Sequence, residues 1–439
     1  MASLLSHESN PLSSLTAVFL GWKSFLLALS LGTAIGSDYD TSTSLFFEHT
    51  YGNASVPVLA ARLTRWDALY FAYASREGYV YEQQWAFGAA MPTIVRHTLR
   101  TLRSLGLGVD VDVDGGVATE PLMAILFANL SHLLAVLVLH RLAVVLFGDR
   151  RLAFLASVLH VLSPAGLFLS APYSESPFAF LSFLGYLLFA EGSRNGPASV
   201  RRSLALVGAG VAFGLSTTFR SNGLLNGILF AVEALRCVRE FVQRPGFGAL
   251  LAGIAPVVGG LCVAAGSVVP QAVAWMRYCN ADAADVAPRP WCHRTLPSIY
   301  TFVQEEYWNC GFLRYWTPSQ IPLFVLAGPM LAILISSSRA FLSPEHRAPV
   351  PQVSRDGGDL SMLVRTMSGV QFLVAVLAIT NFHVQIITRI SSGYPLWYCW
   401  VAGLLGDEKL TARGSAIVVF MVMYASVQGG LFASFLPPA

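Results

Sequence analysis

Five stretches of this 439-residue sequence collect side chains able to do chemistry. The first is Arg65-Trp66-Asp67, continuing to Tyr81-Glu82-Gln83. The second is Ala171-Pro172-Tyr173-Ser174-Glu175-Ser176, and the third is Arg220-Ser221-Asn222-Gly223. The fourth runs from Gln304 through Glu305, Glu306, Tyr307 and Trp308 to Arg314-Tyr315-Trp316. The fifth is Asn381-Phe382-His383-Val384-Gln385 with Arg389. A carboxylate near a hydroxyl can accept its proton, and arginine grips phosphate with paired N–H donors. Aromatic rings stack on sugars and also anchor at a membrane surface. Each residue has a plainer role too. Asp67 can pair with Arg65 or Arg76, Glu175 can cap the helix it precedes, and Arg220 can snorkel. A lone interfacial histidine is more often structural. The argument for function is the collection.

The elements between these stretches are apolar. Runs of about 18–25 apolar residues mark membrane helices. They are read at 14–35, 121–147, 152–170, 177–190, 203–219, 222–236, 249–276, 321–337, 362–380, 394–406 and 414–436. Three are short (177–190, 222–236 and 394–406), so the count is eight to eleven, with eleven preferred. The first run reads as a retained anchor, since it is long and lacks a basic start and a small-residue cleavage site. Charged residues make up 12% and hydrophobic residues 54%, with mean hydropathy +0.58 and net charge +3. That excludes a disordered chain and a nucleic-acid binder working by charge. Six cysteines are too few for a disulfide scaffold. No Cys/His spacing suggests a metal.

The expected fold is therefore an all-α polytopic membrane protein, with residues 1–439 forming a single integral membrane domain. Basic residues gather in short cytosolic loops. With a cytosolic N-terminus, eleven spans put Arg150, Arg194, Arg239, the 338–361 loop and Lys409 on the cytosolic side. The opposite, luminal side then holds a first segment, 36–120, a large loop, 277–320, and all five polar stretches. Trp66, Leu69, Tyr70 and Tyr73 have helical spacing and would form one apolar face of an interfacial helix. Asn53-Ala54-Ser55 is a luminal glycosylation sequon, whereas Asn129-Leu130-Ser131 falls inside a span. Cys279 and Cys292 are the best disulfide candidates, with Cys310 a third luminal thiol that leaves the pairing open. Asp110-Val111-Asp112-Val113-Asp114 imitates a calcium loop, but Pro121 stands where its closing glutamate belongs. It reads as a solvated acidic loop.

Several of these motifs, in this order, resemble the PIG-V type of GPI mannosyltransferase. They are Arg65-Trp66-Asp67 with Tyr79-Val80-Tyr81-Glu82-Gln83, Tyr173-Ser174-Glu175-Ser176, Arg220-Ser221-Asn222-Gly223, the Gln304–Trp316 stretch and His383-Val384-Gln385. The sequence departs from the family at Ala86–Pro92, where a more Phe- and Pro-rich run is usual. The resemblance implies a GT-C multi-span bundle with an active face in the endoplasmic reticulum lumen. It implies transfer of the second mannose, α1,6-linked, from dolichyl-phosphate mannose to the glycosylphosphatidylinositol precursor. It also implies a small accessory membrane subunit. No cofactor or metal is expected beyond the lipid-linked donor and acceptor.

A β-linked donor and an α-linked product imply inversion in one displacement. Asp67 is the expected base, with Glu82 and Glu175 in reserve. Arg220, His383, Gln385 and Arg389 are expected to hold the donor phosphate. Trp66, Gln83, Asn222, Gln304, Tyr307 and Trp308 are expected to contact substrate. Rival readings are another dolichyl-phosphate-mannose-dependent transferase, or a non-enzymatic lipid transporter or scaffold. A transporter would be expected to show internal repeats, and none is visible.

Overall fold

The computed structural model describes residues 10–36, 38–52, 54–107, 117–197, 199–279, 289–343, 351–354 and 360–436. Asn53 and the Asp110–Asp114 stretch lie outside them. Each of the eleven apolar runs contains helix, although the run 152–170 is broken at Leu162–Ala165. Among the described residues, strand-like pairing is confined to one isolated bridge, Ser55 with Val117.

Among the described residues, seven helical segments are long and apolar enough to cross a membrane, by length and composition. They are Pro11–Ile35, Thr119–Phe147, Val200–Phe219, Phe247–Tyr278, Pro318–Leu342, Ser361–Thr380 and Thr411–Ala433. The sequence led to an expectation of eight to eleven spans. Arg150–Val161 and Leu396–Gly406 hold only 12 and 11 residues. At ~1.5 Å per residue they reach about 18 Å, well short of a ~30 Å hydrocarbon layer. Glu175–Ser193 carries Glu175 and Glu191 near its two ends. Gly227–Gln243 is interrupted by Glu233, Arg236 and Glu240. The chain is a multi-pass, all-helical membrane protein.

The short helix Leu396–Gly406 is a core element. Trp397, Tyr398 and Trp400 are fully buried at the centre of the largest apolar cluster. Around it, Glu175–Ser193 packs on Thr119–Phe147 and on Val200–Phe219, which in turn packs on Phe247–Tyr278. That last contact brings backbones together. A Cβ at Gly210 would lie 2.4 Å from Gly259 Cα, and one at Gly266 would lie 2.1 Å from Gly214 O. Within lipid, such small-residue contacts replace the hydrophobic drive that water would supply. The outer face of Phe247–Tyr278 exposes Leu250, Ile254, Leu261 and Val268, a surface suited to lipid.

The first connecting segment forms a short helix, Ala68–Glu77. It buries Ala68, Phe71, Ala72 and Ser75, while Leu69, Tyr70 and Tyr73 point to the less buried side. Trp66 is not on that helix, which corrects the expected face. Its φ of +54° belongs to a turn just before the helix starts. Cys279 and Cys292 are joined, and Cys310 is free and buried. Asn129 lies inside Thr119–Phe147, where its amide donates to the carbonyls of Ile125 and Ser170.

Candidate active site

A bulky residue at positive φ costs about 1–2 kcal/mol, so neighbours must hold it there. At Trp66 they do. The indole stacks on Phe435 with ring centres 4.9 Å apart. The buried Arg65 guanidinium donates to Asp38 at 2.8 Å, and the Arg65 carbonyl accepts from Tyr173 Oη at 3.1 Å. This pinned turn delivers Asp67, whose side chain is 36% exposed, to a cavity of about 240 Å³.

Asp67 pairs with neither Arg65 nor Arg76, as the adjacent sequence suggested. Arg65 is engaged by Asp38, and Arg76 lies against Glu77. Asp67 Oδ2 instead accepts from Arg389 Nη1 at 3.0 Å, across 322 residues of chain. Arg389 Nε lies 3.7 Å from Glu175 Oε1, which also accepts from Arg220 Nη1 at 2.7 Å. The result is an alternating chain, Asp67–Arg389–Glu175–Arg220. Its two arginines come from the short helix Ile387–Ile390 and from the C-terminal end of Val200–Phe219. Glu175 is fully buried at the first position of its helix and makes ion pairs rather than a side-chain cap. The Arg389 guanidinium also lies over the rings of Phe168 and Tyr173, at 4.6 and 5.5 Å. Burial alone would lower its pKa. The facing Asp67 and Glu175 charges overcome that and raise it, so Arg389 stays cationic.

The cavity brings together many of the expected residues. Asp67, Arg220, Asn222, Gln304, Trp308, His383 and Arg389 all line it. His383 Nε2 hydrogen-bonds the Trp308 carbonyl at 2.8 Å, and its ring stacks on Tyr315. Asn222 donates to Tyr394 Oη at 2.9 Å. Glu175 touches this group through the two arginines. The remaining candidates lie elsewhere. Glu82 is buried outside the cavity, where it accepts from Trp291 Nε1 at 3.0 Å and faces Arg289 at 3.3 Å. It ties the first connecting segment to the loop after Cys279. Gln83 sits beside it on the turn Glu82–Ala86. Gln385 accepts from Tyr315 Oη, and Tyr307 is 45% exposed. Gln83, Gln385, Tyr307 and Trp66 do not line the cavity.

Sequence reasoning missed Phe87, Gly88 and Tyr300, which complete the wall. Tyr300 Oη accepts from Ser221 Oγ at 2.8 Å. Burial, set against the Ser221 hydrogen bond and the Arg220 charge, raises its pKa. Gly88 is a close-approach position, because a Cβ there would stand 2.0 Å from Phe219 O. A glycine beside an aromatic carries no chemical signal in sequence. The one pointer was that Ala86–Pro92 departs from the family pattern.

A buried cation pair beside a half-exposed carboxylate, at the edge of an apolar bundle, suits group transfer from a membrane-borne anionic donor. The chain belongs to the mannosyltransferase (PIG-V) family, whose model matches residues 39–439. It is thus a multi-span glycosyltransferase that transfers mannose. It is 52% identical to GPI mannosyltransferase 2 of Gibberella zeae over all of both chains. The protein of the same name from Chaetomium globosum is 51% identical, with 98% of this chain and 97% of that one covered. The one from Aspergillus fumigatus is 38% identical, over 99% and 95%. The oligosaccharyltransferase of Archaeoglobus fulgidus aligns with 94% of this chain at 13% identity and a TM-score of 0.43. This chain spans about half (53%) of that structure's length, and the likeness is too distant to carry an argument.

Proposed function

We propose that this chain transfers the second mannose, in α1,6 linkage, to the glycosylphosphatidylinositol precursor. The donor is dolichyl-phosphate mannose, and the reaction takes place on the luminal face of the endoplasmic reticulum membrane. The names of the relatives support the acceptor. The observation that carries the chemistry is Asp67 facing the cavity with Arg389 and Glu175 behind it.

In the proposed step, the 6-hydroxyl of the acceptor mannose attacks C1 of the donor from the face opposite the phosphate. Its proton passes to Asp67. The C1–O bond to phosphate breaks, and dolichyl phosphate leaves with the electron pair, gaining one negative charge. Arg389 and Arg220 face that charge. A guanidinium carries five N–H donors, and Arg220 commits one of them to Glu175. The carboxylates hold both guanidiniums in place before charge develops, which is the preorganisation that lowers a barrier. His383, Asn222, Gln304 and Trp308 shape the sugar pocket. Glu175 serves as the counter-ion of the arginines, because it is wholly buried between them. An accessory subunit, as the family resemblance implies, would bind outside this cavity.

Rescue of cells that lack the second GPI mannose tests the acceptor. Expression of this chain should clear the accumulated one-mannose intermediate. Persistence of that intermediate with the chain expressed and inserted would overturn the reading.

A further inference from the structure

A second polar pocket lies outside the catalytic cavity. It has a volume of about 310 Å³ and is lined by Arg96, His97, Arg100 and Arg277, with Tyr79 and a single acid, Glu77, among the described residues. Three arginines facing one acid is a large local imbalance in a chain whose net charge is +3. Arg96 is partly spent, donating to the carbonyls of Ala74 and Ser75 that end the helix Ala68–Glu77. Burial first, and then the like charge of Arg100, lower its pKa. Arg100 and Arg277 are exposed and have no ion-pair partner among the described residues. Arg277 stands in the last turn of the candidate span Phe247–Tyr278, where a long cationic side chain can reach lipid headgroups.

One cleft lies between the pocket and the catalytic cavity. An amphipathic cleft of about 350 Å³ shares Phe87, Gly88, Asn222 and Tyr300 with the catalytic cavity. That cleft and the basic pocket share the Trp85 ring as a wall. Trp85 is only 9% exposed, and its indole N–H has no hydrogen-bond partner among the described residues. A buried donor without an acceptor is costly, so a shift of the ring that brings its N–H to a ligand oxygen would be favoured. Tyr79 Oη, on the same side, donates to Gly88 O at 3.0 Å, the residue that walls the catalytic cavity.

We infer that Arg96, Arg100 and Arg277 bind the phosphodiester of the acceptor's phosphoinositol headgroup while its glycan lies along the cleft past Trp85. The inference rests on the glycosylphosphatidylinositol acceptor proposed above. The pocket then anchors one end of the acceptor and the catalytic cavity receives the other. Acceptor length is thereby measured, and the headgroup contact, made equally in the bound and transition states, sets KM rather than kcat.

The test is the double variant Arg100→Gln/Arg277→Gln, with Arg96 left to hold its helix end. The KM for the one-mannose phospholipid acceptor should rise about tenfold, equivalent to ~1.4 kcal/mol, with kcat and the donor KM unchanged. Arg100→Lys/Arg277→Lys should keep most of the affinity, and an acceptor analogue lacking phosphate should not distinguish variant from wild type. An unchanged KM, or an equal rise with the phosphate-free analogue, overturns the inference. So does a difference that vanishes in neutral phosphatidylcholine nanodiscs, which would assign the pocket to bulk anionic lipid. Calorimetry with glycerophosphoinositol reads the pocket without any transfer. Binding lost in the double variant supports the phosphodiester site even where the acceptor reading fails, and equal binding by both proteins refutes it.

Discussion

Glu175 holds two cations in place, and removing its charge tests whether the Asp67–Arg389–Glu175–Arg220 chain is a unit. The carboxylate is 0% exposed, with Arg220 at 2.7 Å and Arg389 at 3.7 Å. At an effective dielectric of about 20, a unit pair at about 4 Å is worth roughly 4 kcal/mol. Breaking a buried pair by deleting one partner costs about 3–5 kcal/mol, because the other charge is stranded. Glu175→Ala strands Arg220 most, since Arg389 keeps Asp67. With roughly 2 °C lost per kcal/mol in a chain of this size, the midpoint should fall by about 6–10 °C. Glu175→Gln, which keeps an acceptor oxygen, should lose about half as much. Adding Arg220→Gln to Glu175→Gln should recover stability, because no buried charge is then stranded. The assay is the fraction of detergent-solubilised protein that stays monodisperse after heating. A Glu175→Ala midpoint within about 1 °C of wild type would refute the reasoning, as would a double variant that simply adds the two losses.

Gly88→Ala should lower kcat by about 10²-fold, since its Cβ would meet Phe219 O at 2.0 Å and displace the cavity wall. Single-turnover transfer by the folded variant measures this. Glu82→Gln should leave kcat within about twofold, because Glu82 lies outside the cavity and its Arg289 partner is a half-exposed ion pair of small worth. Steady-state kinetics showing a collapse comparable to loss of a base would move the base role to Glu82. Arg389→Ala should cut kcat by about 10²–10³-fold through lost stabilisation of the leaving phosphate. Donor titration in microsomes checks it, and unchanged kcat and donor KM would remove Arg389 from the phosphate role.

Element types were legible because apolar runs between polar turns have one helical solution in lipid. The lengths of the helices were not. Leu396–Gly406 is as apolar as a span, but eight of its 11 residues are buried by neighbours that hydropathy does not see. In the site, Asp67, Arg220, His383 and Arg389 were singled out because acids, arginines and histidines are rare in an apolar chain. Their partners were not legible. Arg65 and Arg76 sit beside Asp67 in sequence, but the ion pair forms with Arg389, 322 positions away. Glu82 and Gln83 looked equivalent to Asp67 by type. Only the tertiary contact with Trp291 shows that Glu82 is a strut. Gly88 was invisible because its role is to have no side chain beside Phe219. The basic pocket was missed because Arg277 belongs to a span and Arg96 and Arg100 to a different helix. The chain had to fold before their charges met.

The central claim is that Asp67 accepts the proton of the attacking hydroxyl. The direct measurement is transfer from radiolabelled dolichyl-phosphate mannose to the one-mannose precursor, in microsomes whose only source of the activity is Asp67→Asn. The amide keeps an oxygen for Arg389 and nearly the same shape, so protein level and thermal midpoint should stay close to wild type. Transfer should fall by at least about 10²-fold, the usual contribution of a positioned base. Transfer near the wild-type rate by that variant would contradict the account.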